Sequence, residues 1–372
     1  MNSLKTAEII NPPTDPEFSE ENKKQWFSEE KYTEYLGINP SKSYIYPSEI
    51  YQQINDRIIT LSFKAAIELN AELFYDKTVL VLNSGIGMFS LFAAQNGAKK
   101  VLGIEQNHTL AKYARKIAAD NGYSNVISTL TGNIWDLKVE HKVDIIICNW
   151  MGNFLTQNSL LKDLIFARDT YLTQDGGLIF PDKATLYIAG IEDVEYKEDK
   201  LNMWNNVYDI NMKCIQKESI CSPLIDNVNS NAIISTISEV FVIDAYKVRE
   251  NDLNFSNAYE LVFLRKDTMC GLVSWFDVKF SSIPNQIKFT TSPYNQSTKW
   301  RQVIFYTNKN INVNRGDILK GSLCCRINPD LEPLRGLDVK ISYHFIRKND
   351  LINGRKEHLN EVQMYKIIWD EE

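Results

Sequence analysis

Between residues 79 and 105 the chain reads VLVLNSGIGMFSLFAAQNGAKKVLGIE. It is a short apolar run, a loop with Gly85 and Gly87, a helical stretch, and a second apolar run ending in Glu105. Those residue types suit nucleoside recognition. Glycines let the backbone come close to a ligand, and an acidic side chain after the second strand can hold ribose hydroxyls. The loop is not a full Gly-x-Gly-x-x-Gly, because Ser90 occupies the third glycine position. An ordinary strand-to-helix turn shares the pattern, and the loop by itself leaves both readings open. Metal and disulfide chemistry are not expected. The six cysteines (148, 214, 221, 270, 324 and 325) form no Cys-x-x-Cys pair, and the four histidines (108, 141, 344 and 358) are scattered. That usage favours reduced thiols in an intracellular protein, and a cytoplasmic location is the expectation.

The elements that would position such a loop follow from the apolar pattern. Thr78–Leu82, Val101–Glu105, Val126–Leu130, Val143–Cys148 and Gly177–Phe180 read as strands. Met88–Asn96, the stripe Leu110, Ala111, Ala114, Ile117 and Ala118, and the run Leu160, Leu161, Leu164 and Ile165 read as helices. This alternation implies a largely parallel sheet covered on both faces. Upstream, residues 1–25 are polar and acidic and read as a disordered extension. Residues from 26 to about 73 are helical in pattern, broken at Asn39-Pro40 and Tyr46-Pro47.

After Pro181 strand-like runs dominate: Ala184–Ile191, Val240–Ile243, Leu272–Phe280, Val303–Tyr306, Ile318–Cys325, Leu337–Phe345 and Val362–Ile368. An antiparallel barrel or sandwich is the expectation. The division is therefore an extension at 1–25, an α/β unit at 26–181 and a β-barrel unit at 182–372. One stretch, 196–224, carries Met203, Trp204, Tyr208 and Met212; it is either a long barrel loop or a partner-contacting excursion. The composition, 44% apolar and 24% charged, is globular, and the net charge of -6 argues against a dedicated nucleic-acid binder. No apolar run is long enough to span a membrane, and the N-terminus lacks a signal-peptide core.

Several strings resemble the type I protein arginine methyltransferase family: FAAQNGAKKVLGIE, VDIIICNWMG, the Ala-Arg-Asp at 167–169, DGGLIFPDKATLY, and SPY…KWRQVIFY at 292–306. The resemblance covers about residues 26–372. It implies an α/β nucleotide-binding (Rossmann-like methyltransferase) domain followed by an antiparallel β-barrel domain with a helical dimerisation arm. The arm would be 196–224, with Tyr196, Met203, Trp204, Tyr208 and Met212 as its contact residues. The cofactor implied for the family is S-adenosylmethionine.

The same resemblance says where chemistry belongs, and there the chain departs. The family grips its guanidinium substrate with two glutamates on a hairpin loop; the matching positions here are Asn149 and Asn158. A charged guanidinium needs charge-assisted acceptors, and losing two would cost on the order of 3 kcal/mol or more per contact. The histidine of the family's Thr-His-Trp loop aligns with Lys299, a cation that would repel a substrate arginine, and Asn295-Gln296-Ser297 look inserted. In the cofactor set Gly85, Gly87 and Glu105 are retained. The acidic position is Val81, the first glycine Asn83, the threonine Ile86, the carboxylate-binding arginine Ile59, and the adenine-binding glutamate Trp135. Arg57, two residues from Ile59, is a candidate to compensate, and Trp135 is bulky enough to fill the adenine pocket itself. The N-terminal Tyr-Phe motif is blurred, with Tyr32, Tyr35 and Gly37 aligning across a gap.

The expectation from these departures is a pseudoenzyme. The chain would bind no cofactor of its own and would serve as a prozyme-like regulatory subunit in a hetero-oligomer with a catalytic arginine methyltransferase paralogue, with Arg/Gly-rich proteins as further partners. Two other readings stand beside it: a divergent active S-adenosylmethionine-dependent arginine methyltransferase, and a binding scaffold for Arg/Gly-rich proteins or RNA.

Overall fold

Strands buried on both faces have one place to go, the middle of a covered parallel sheet, and the runs TVLVL and IIIC go there. In the computed structural model, which describes residues 50–51, 54–157, 159–328, 336–349 and 359–368, helix α1 (Arg57–Glu68) precedes β1 (Thr78–Leu82). Then come α2 (Met88–Gln95), β2 (Lys100–Glu105), α3 (His108–Asp120), β3 (Ile127–Thr131), β4 (Ile145–Cys148), α4 (Leu161–Tyr171) and β5 (Leu178–Phe180). The five strands pair in parallel in the order β3-β2-β1-β4-β5. The order reverses between β1 and β4, and the crevice beyond their C-terminal ends is where such sheets bind ligands. The expected extension at 1–25 and Tyr32, Tyr35, Gly37 and Asn158 lie outside the described residues.

Local chemistry explains the helix ends. The Asp56 carboxylate accepts from the Ile59 N–H and caps α1, and the Asn107 side chain accepts from Thr109 and Leu110 N–H to cap α3. Ala111, Ala114 and Ala118 on α3 are buried and small, so the helix lies close to the sheet. Gly97, at φ 88°, turns the chain after α2 into β2.

Past residue 181 the pairing becomes antiparallel. One sheet runs β7 (Leu224–Asp226), β12 (Gln302–Val313), β10 (Asp267–Phe280), β6 (Lys183–Ile191) and β8 (Ser238–Asp244), with β11 (Ile287–Thr290) also on β10. The other runs β15 (Leu359–Ile367), β14 (Leu337–Ile346), β13 (Ile318–Ile327) and β9 (Phe255–Val262). Along one seam the Thr236 N–H donates to the Val262 carbonyl. Along the other, the buried Gln363 amide and the Tyr365 hydroxyl of β15 both donate to the Tyr306 carbonyl of β12. Strand β9 was not visible in the apolar pattern because FSNAYELV carries polar residues on its exposed face.

The stretch 196–224 leaves the barrel as short helical turns followed by α5 (Lys213–Cys221). Its root is fixed: Tyr196 stacks on Tyr306 at 5.6 Å, and Lys197, 2% exposed, donates from Nζ to Asn310 at 2.6 Å. Its tip is apolar and bare. Tyr208 is 95% exposed, and Met203, Ile210 and Ile215 are exposed beside it. Trp204 is half-buried, and the Trp204 carbonyl accepts from the Met212 N–H, closing the tip on itself.

Buried polar bonds lock the α/β half to the barrel. The Arg168 guanidinium on α4 donates to the carbonyls of Ala245 and Val248, both at 2.8 Å. Within the barrel, at its junction with the α/β half, the fully buried Asp182 carboxylate accepts from the Ser281 N–H and from the hydroxyls of Ser281 and Ser282. Removing the Arg168 donors strands two carbonyls, so Arg168→Met should lower unfolding free energy by about 2–3 kcal/mol. Urea denaturation checks this, and an unchanged midpoint would show that the bonds contribute nothing.

Candidate active site

The crevice at the strand-order reversal opens into a cleft of about 320 Å³, within the range of small-molecule sites, about 300–1,000 Å³. Three segments emerge there at the C-terminal ends of β1, β2 and β4. The first is the loop 83–87. Asn83 (φ 48°) and Gly85 (φ 56°) take left-handed conformations, and Gly87 (φ 87°) starts α2. A Cβ on Gly87 would press on the Ala114 Cβ at 3.3 Å, whereas one on Gly85 would meet nothing, so Gly85 is required by its backbone angle alone. Asn is among the few residues that tolerate this region. Asn83 therefore keeps the turn despite standing in place of a glycine.

The second segment ends in Glu105, 3% exposed. Its carboxylate accepts from the Gly85 N–H and the Asn107 N–H, both at 2.8 Å. Burial pushes its pKa up, and the N–H groups of Asn107, Gly85 and Gln106 pull it part of the way back. A carboxylate with two oxygens has lone pairs left for hydroxyl donors of a ribose.

The third segment is the hairpin after β4. Trp150 is fully buried and donates from Nε1 to the Pro181 carbonyl at 3.0 Å; its own carbonyl accepts from the Leu160 N–H at 3.0 Å. Gly152 and Leu155, and Asn153 and Gln157, pair across the hairpin. Gly152 is irreplaceable, since a Cβ there would lie 1.8 Å from the Gln157 carbonyl oxygen. This rigid turn sets Asn149 in the cleft wall, with Oδ1 buried and, among the described residues, without a hydrogen-bond partner.

The remaining wall comes from α1 and the loop before β12. Ile59 and Thr60 line the cleft, and so does Lys299. The Lys299 N–H donates to the Asp56 carboxylate at 2.7 Å, and its Nζ sits 5.2 Å from the Trp300 ring centre. The structure corrects several expectations of decay. Arg57 does not compensate for Ile59: it points to the opposite face of α1, into a groove of about 880 Å³ shared with Trp275 and Asp277. Trp135 does not fill the crevice. It is 47% exposed, stacks on Phe166 at 4.2 Å and lines a separate pocket. Val81 is sealed in the sheet core and lines neither cleft nor crevice. Sequence reasoning missed Asp163, which lines the deep end of the crevice from the first turn of α4. The available signal was a carboxylate on the helical face of Leu160 and Ala167. Among the described residues no group of three or more His, Cys, Asp or Glu could hold a metal ion.

The comparisons with known proteins bear on all of this. A family model described as "Arginine methyltransferase oligomerization subdomain" matches residues 182–348. A relative from Chlamydomonas reinhardtii, "Protein arginine N-methyltransferase 1", is 38% identical over 85% of this chain and 89% of its own length. The protein of the same name from Saccharomyces cerevisiae is 36% identical over 83% of this chain and 88% of its length. Among solved structures, "Trypanosoma brucei PRMT1 enzyme-prozyme heterotetrameric complex with AdoHcy" has a TM-score of 0.81 and 30% identity, covering 87% of this chain and 98% of that one. Arabidopsis thaliana protein arginine methyltransferase 10 has a TM-score of 0.78 at 23% identity, covering 87% and 98%, and shares the fold.

These findings overturn the expected pseudoenzyme, regulatory subunit without a cofactor. The relatives are named as methyltransferases along nearly their whole length, and the AdoHcy complex is a close structural neighbour. The physical reason the expectation failed is that it counted lost residue types as lost geometry. The turn at Asn83, the Glu105 cradle and the hairpin bearing Asn149 all stand. With the parallel sheet, the antiparallel barrel and its oligomerization segment, the chain belongs to the type I protein arginine methyltransferase family.

Proposed function

We propose that this chain is a divergent S-adenosylmethionine-dependent protein arginine methyltransferase that binds its own cofactor. The observation that carries the reading is the Glu105 carboxylate. It is held by the Gly85 and Asn107 N–H groups, and Gly85 itself lines a cleft of about 320 Å³ whose wall also includes Asn149. Relatives 36–38% identical and named as arginine methyltransferases support it. The cofactor supplies an electrophilic methyl group. The protein's part is to position and to accept hydrogen bonds. Glu105 would hold the ribose hydroxyls, the Gly85 backbone allows close approach, and Ile59 and Met88 supply apolar walls. The buried Asn149 Oδ1, unpartnered among the described residues, would accept one guanidinium N–H and aim one nitrogen at the cleft. An amide acceptor localises the substrate's positive charge less than a carboxylate does, so turnover is slow rather than absent.

Calorimetric titration of the purified chain with S-adenosylhomocysteine should give saturable binding; no heat at millimolar ligand sinks the reading. Affinity should hold at neutral pH and fall as Glu105 becomes protonated. Because burial raises that pKa, the fall begins above the ordinary carboxylate range. Glu105→Gln should bind more weakly and lose this pH dependence.

Methyl transfer to an Arg/Gly-rich peptide, followed with labelled cofactor, tests Asn149. Asn149→Ala should lower kcat by on the order of tenfold, and Asn149→Glu should raise it by at least as much. Equal rates in all three proteins would remove Asn149 from the site.

The arm supports assembly with a second methyltransferase-type protomer, since Tyr208, Met203, Ile210 and Ile215 form an exposed apolar tip. Tyr208→Asp should shift the mass by light scattering from oligomer to monomer, and an unchanged mass would place the contact elsewhere.

A further inference from the structure

We propose that the groove on the outer side of α1 is the seat of this chain's own N-terminal segment, residues 8–21. The groove, of about 880 Å³, lies between α1, strands β6, β10 and β11, and the loop before β12. It is separate from the cofactor cleft, with α1 between the two. Ile59 and Thr60 line the cleft, whereas Arg57, Ile58 and Leu61 line the groove.

The lining is apolar and bare. Leu61, Ile237 and Tyr294 are 49%, 46% and 57% exposed, and they gather in one groove rather than scatter singly, which marks a binding surface. The stacked pair Tyr187 and Trp275, 6.1 Å apart, adds aromatic wall. Asn295 and Gln296, which look inserted relative to the family, also line it. That wall therefore belongs to this chain rather than to the family pattern.

Charge selects among occupants. Arg57 and Lys288 line the groove against one carboxylate, Asp277, and among the described residues neither cation makes a salt bridge. An Arg/Gly-rich peptide would set cations against cations. Residues 8–21, EIINPPTDPEFSEE, carry five carboxylates and no Lys or Arg. They also supply Phe18 and the prolines 12, 13 and 16, which favour an extended chain. Extended proline segments dock on aromatic-lined grooves because they have little conformational freedom left to lose. Prolines on Tyr187 and Trp275, with carboxylates on Arg57 and Lys288, match both kinds of lining.

The segment can reach. The described chain starts at residue 50, and Arg57 in the groove wall follows closely. A wholly helical connection through residues 22–49 would still cover about 40 Å at 1.5 Å per residue, more than the roughly 30 Å of a small domain. Tethering raises the local concentration of the segment to the millimolar range, so a free copy competes poorly. Once seated, it braces α1 from the side opposite Ile59 and Thr60.

Fluorescence anisotropy of a labelled synthetic peptide of residues 8–21, added to the full chain, tests the assignment. The wild-type chain, its groove already held, should bind the peptide weakly. The full chain carrying Phe18→Ala, Glu20→Lys and Glu21→Lys releases the groove and should bind it at least tenfold more tightly. Adding Leu61→Asp or Lys288→Glu, both at exposed positions, should abolish that gain. Equal affinity of the wild-type and released chains, whether tight or undetectable, overturns the proposal. A photo-cross-linker in place of Phe18, in mixed isotopically light and heavy full chains, should join α1 or β11 of the same chain. Cross-links found only between light and heavy chains would give the groove to a second copy and overturn the intramolecular assignment.

Discussion

One buried charge organises the ligand-facing end of this molecule. Glu105 sits at the end of β2 with almost no contact with solvent, a position that costs a carboxylate several kcal/mol of hydration. The cost is offset by backbone donors from two different loops, Gly85 on one side and Asn107 on the other. Each donor is also committed elsewhere. Gly85 supplies its N–H because it is left-handed, and that same angle carries the chain into Gly87 and α2. Asn107 supplies its N–H while its side chain caps α3. The carboxylate thus ties together the loop after β1, the end of β2 and the starts of two helices. Moving any one of them would expose an unpaired charge in an apolar setting.

The opposite wall of the cleft is held by a clasp on α1. At its N-terminus Asp56 accepts from Ile59 within the helix and from Lys299 in the loop before β12. Just past its C-terminal end the Asn70 side-chain amide donates to the Asn285 carbonyl and accepts from the Asn285 N–H in the turn before β11. The helix that supplies Ile59 and Thr60 to the cleft wall and the loop that supplies Lys299 are therefore tied to each other and to the barrel. Together with Arg168 on the Ala245 and Val248 carbonyls, these bonds leave the α/β half little freedom against the barrel. A cleft walled by both halves needs that rigidity, because a small displacement of either would misplace the reacting groups.

The fold was legible where burial alone decides. Runs such as TVLVL and IIIC can only be central strands, and the observed β1 and β4 follow them. The polar-faced β9 was not legible, because half its residues look outward and the run carries no apolar signature. In the site, the turn at Gly85 and Gly87 was legible as a place where the backbone needs glycine, because both residues have positive φ angles. Side-chain direction was not readable. Arg57 and Ile59 are two residues apart and face opposite ways around the helix, so proximity in sequence misled. Trp135 looked obstructive by size, but its indole N–H had a buried carboxylate to reach, and that bond swings the ring out of the crevice. The partner, Asp163, lies 28 residues away, and no local pattern joins the two.

The same distinction between residue type and geometry decides how Asn149 is to be understood. The hairpin that presents it is expensive to form. Phe154 and Leu155 both have left-handed backbone angles, which cost a side chain with a Cβ roughly 1–2 kcal/mol each. Gly152 admits no other residue. Trp150 is spent entirely on anchoring, with its ring buried and its Nε1 on Pro181. Strain of this kind persists only where the surrounding structure over-determines it, and it gathers at sites that must hold a side chain in one place. What the hairpin holds is an amide oxygen that is buried and finds no partner among the described residues. Burying an acceptor without a donor is unfavourable in the free protein and becomes favourable once a donor arrives. The geometry therefore favours a ligand rich in N–H groups over an empty cleft, with or without the carboxylate that would bind it more strongly.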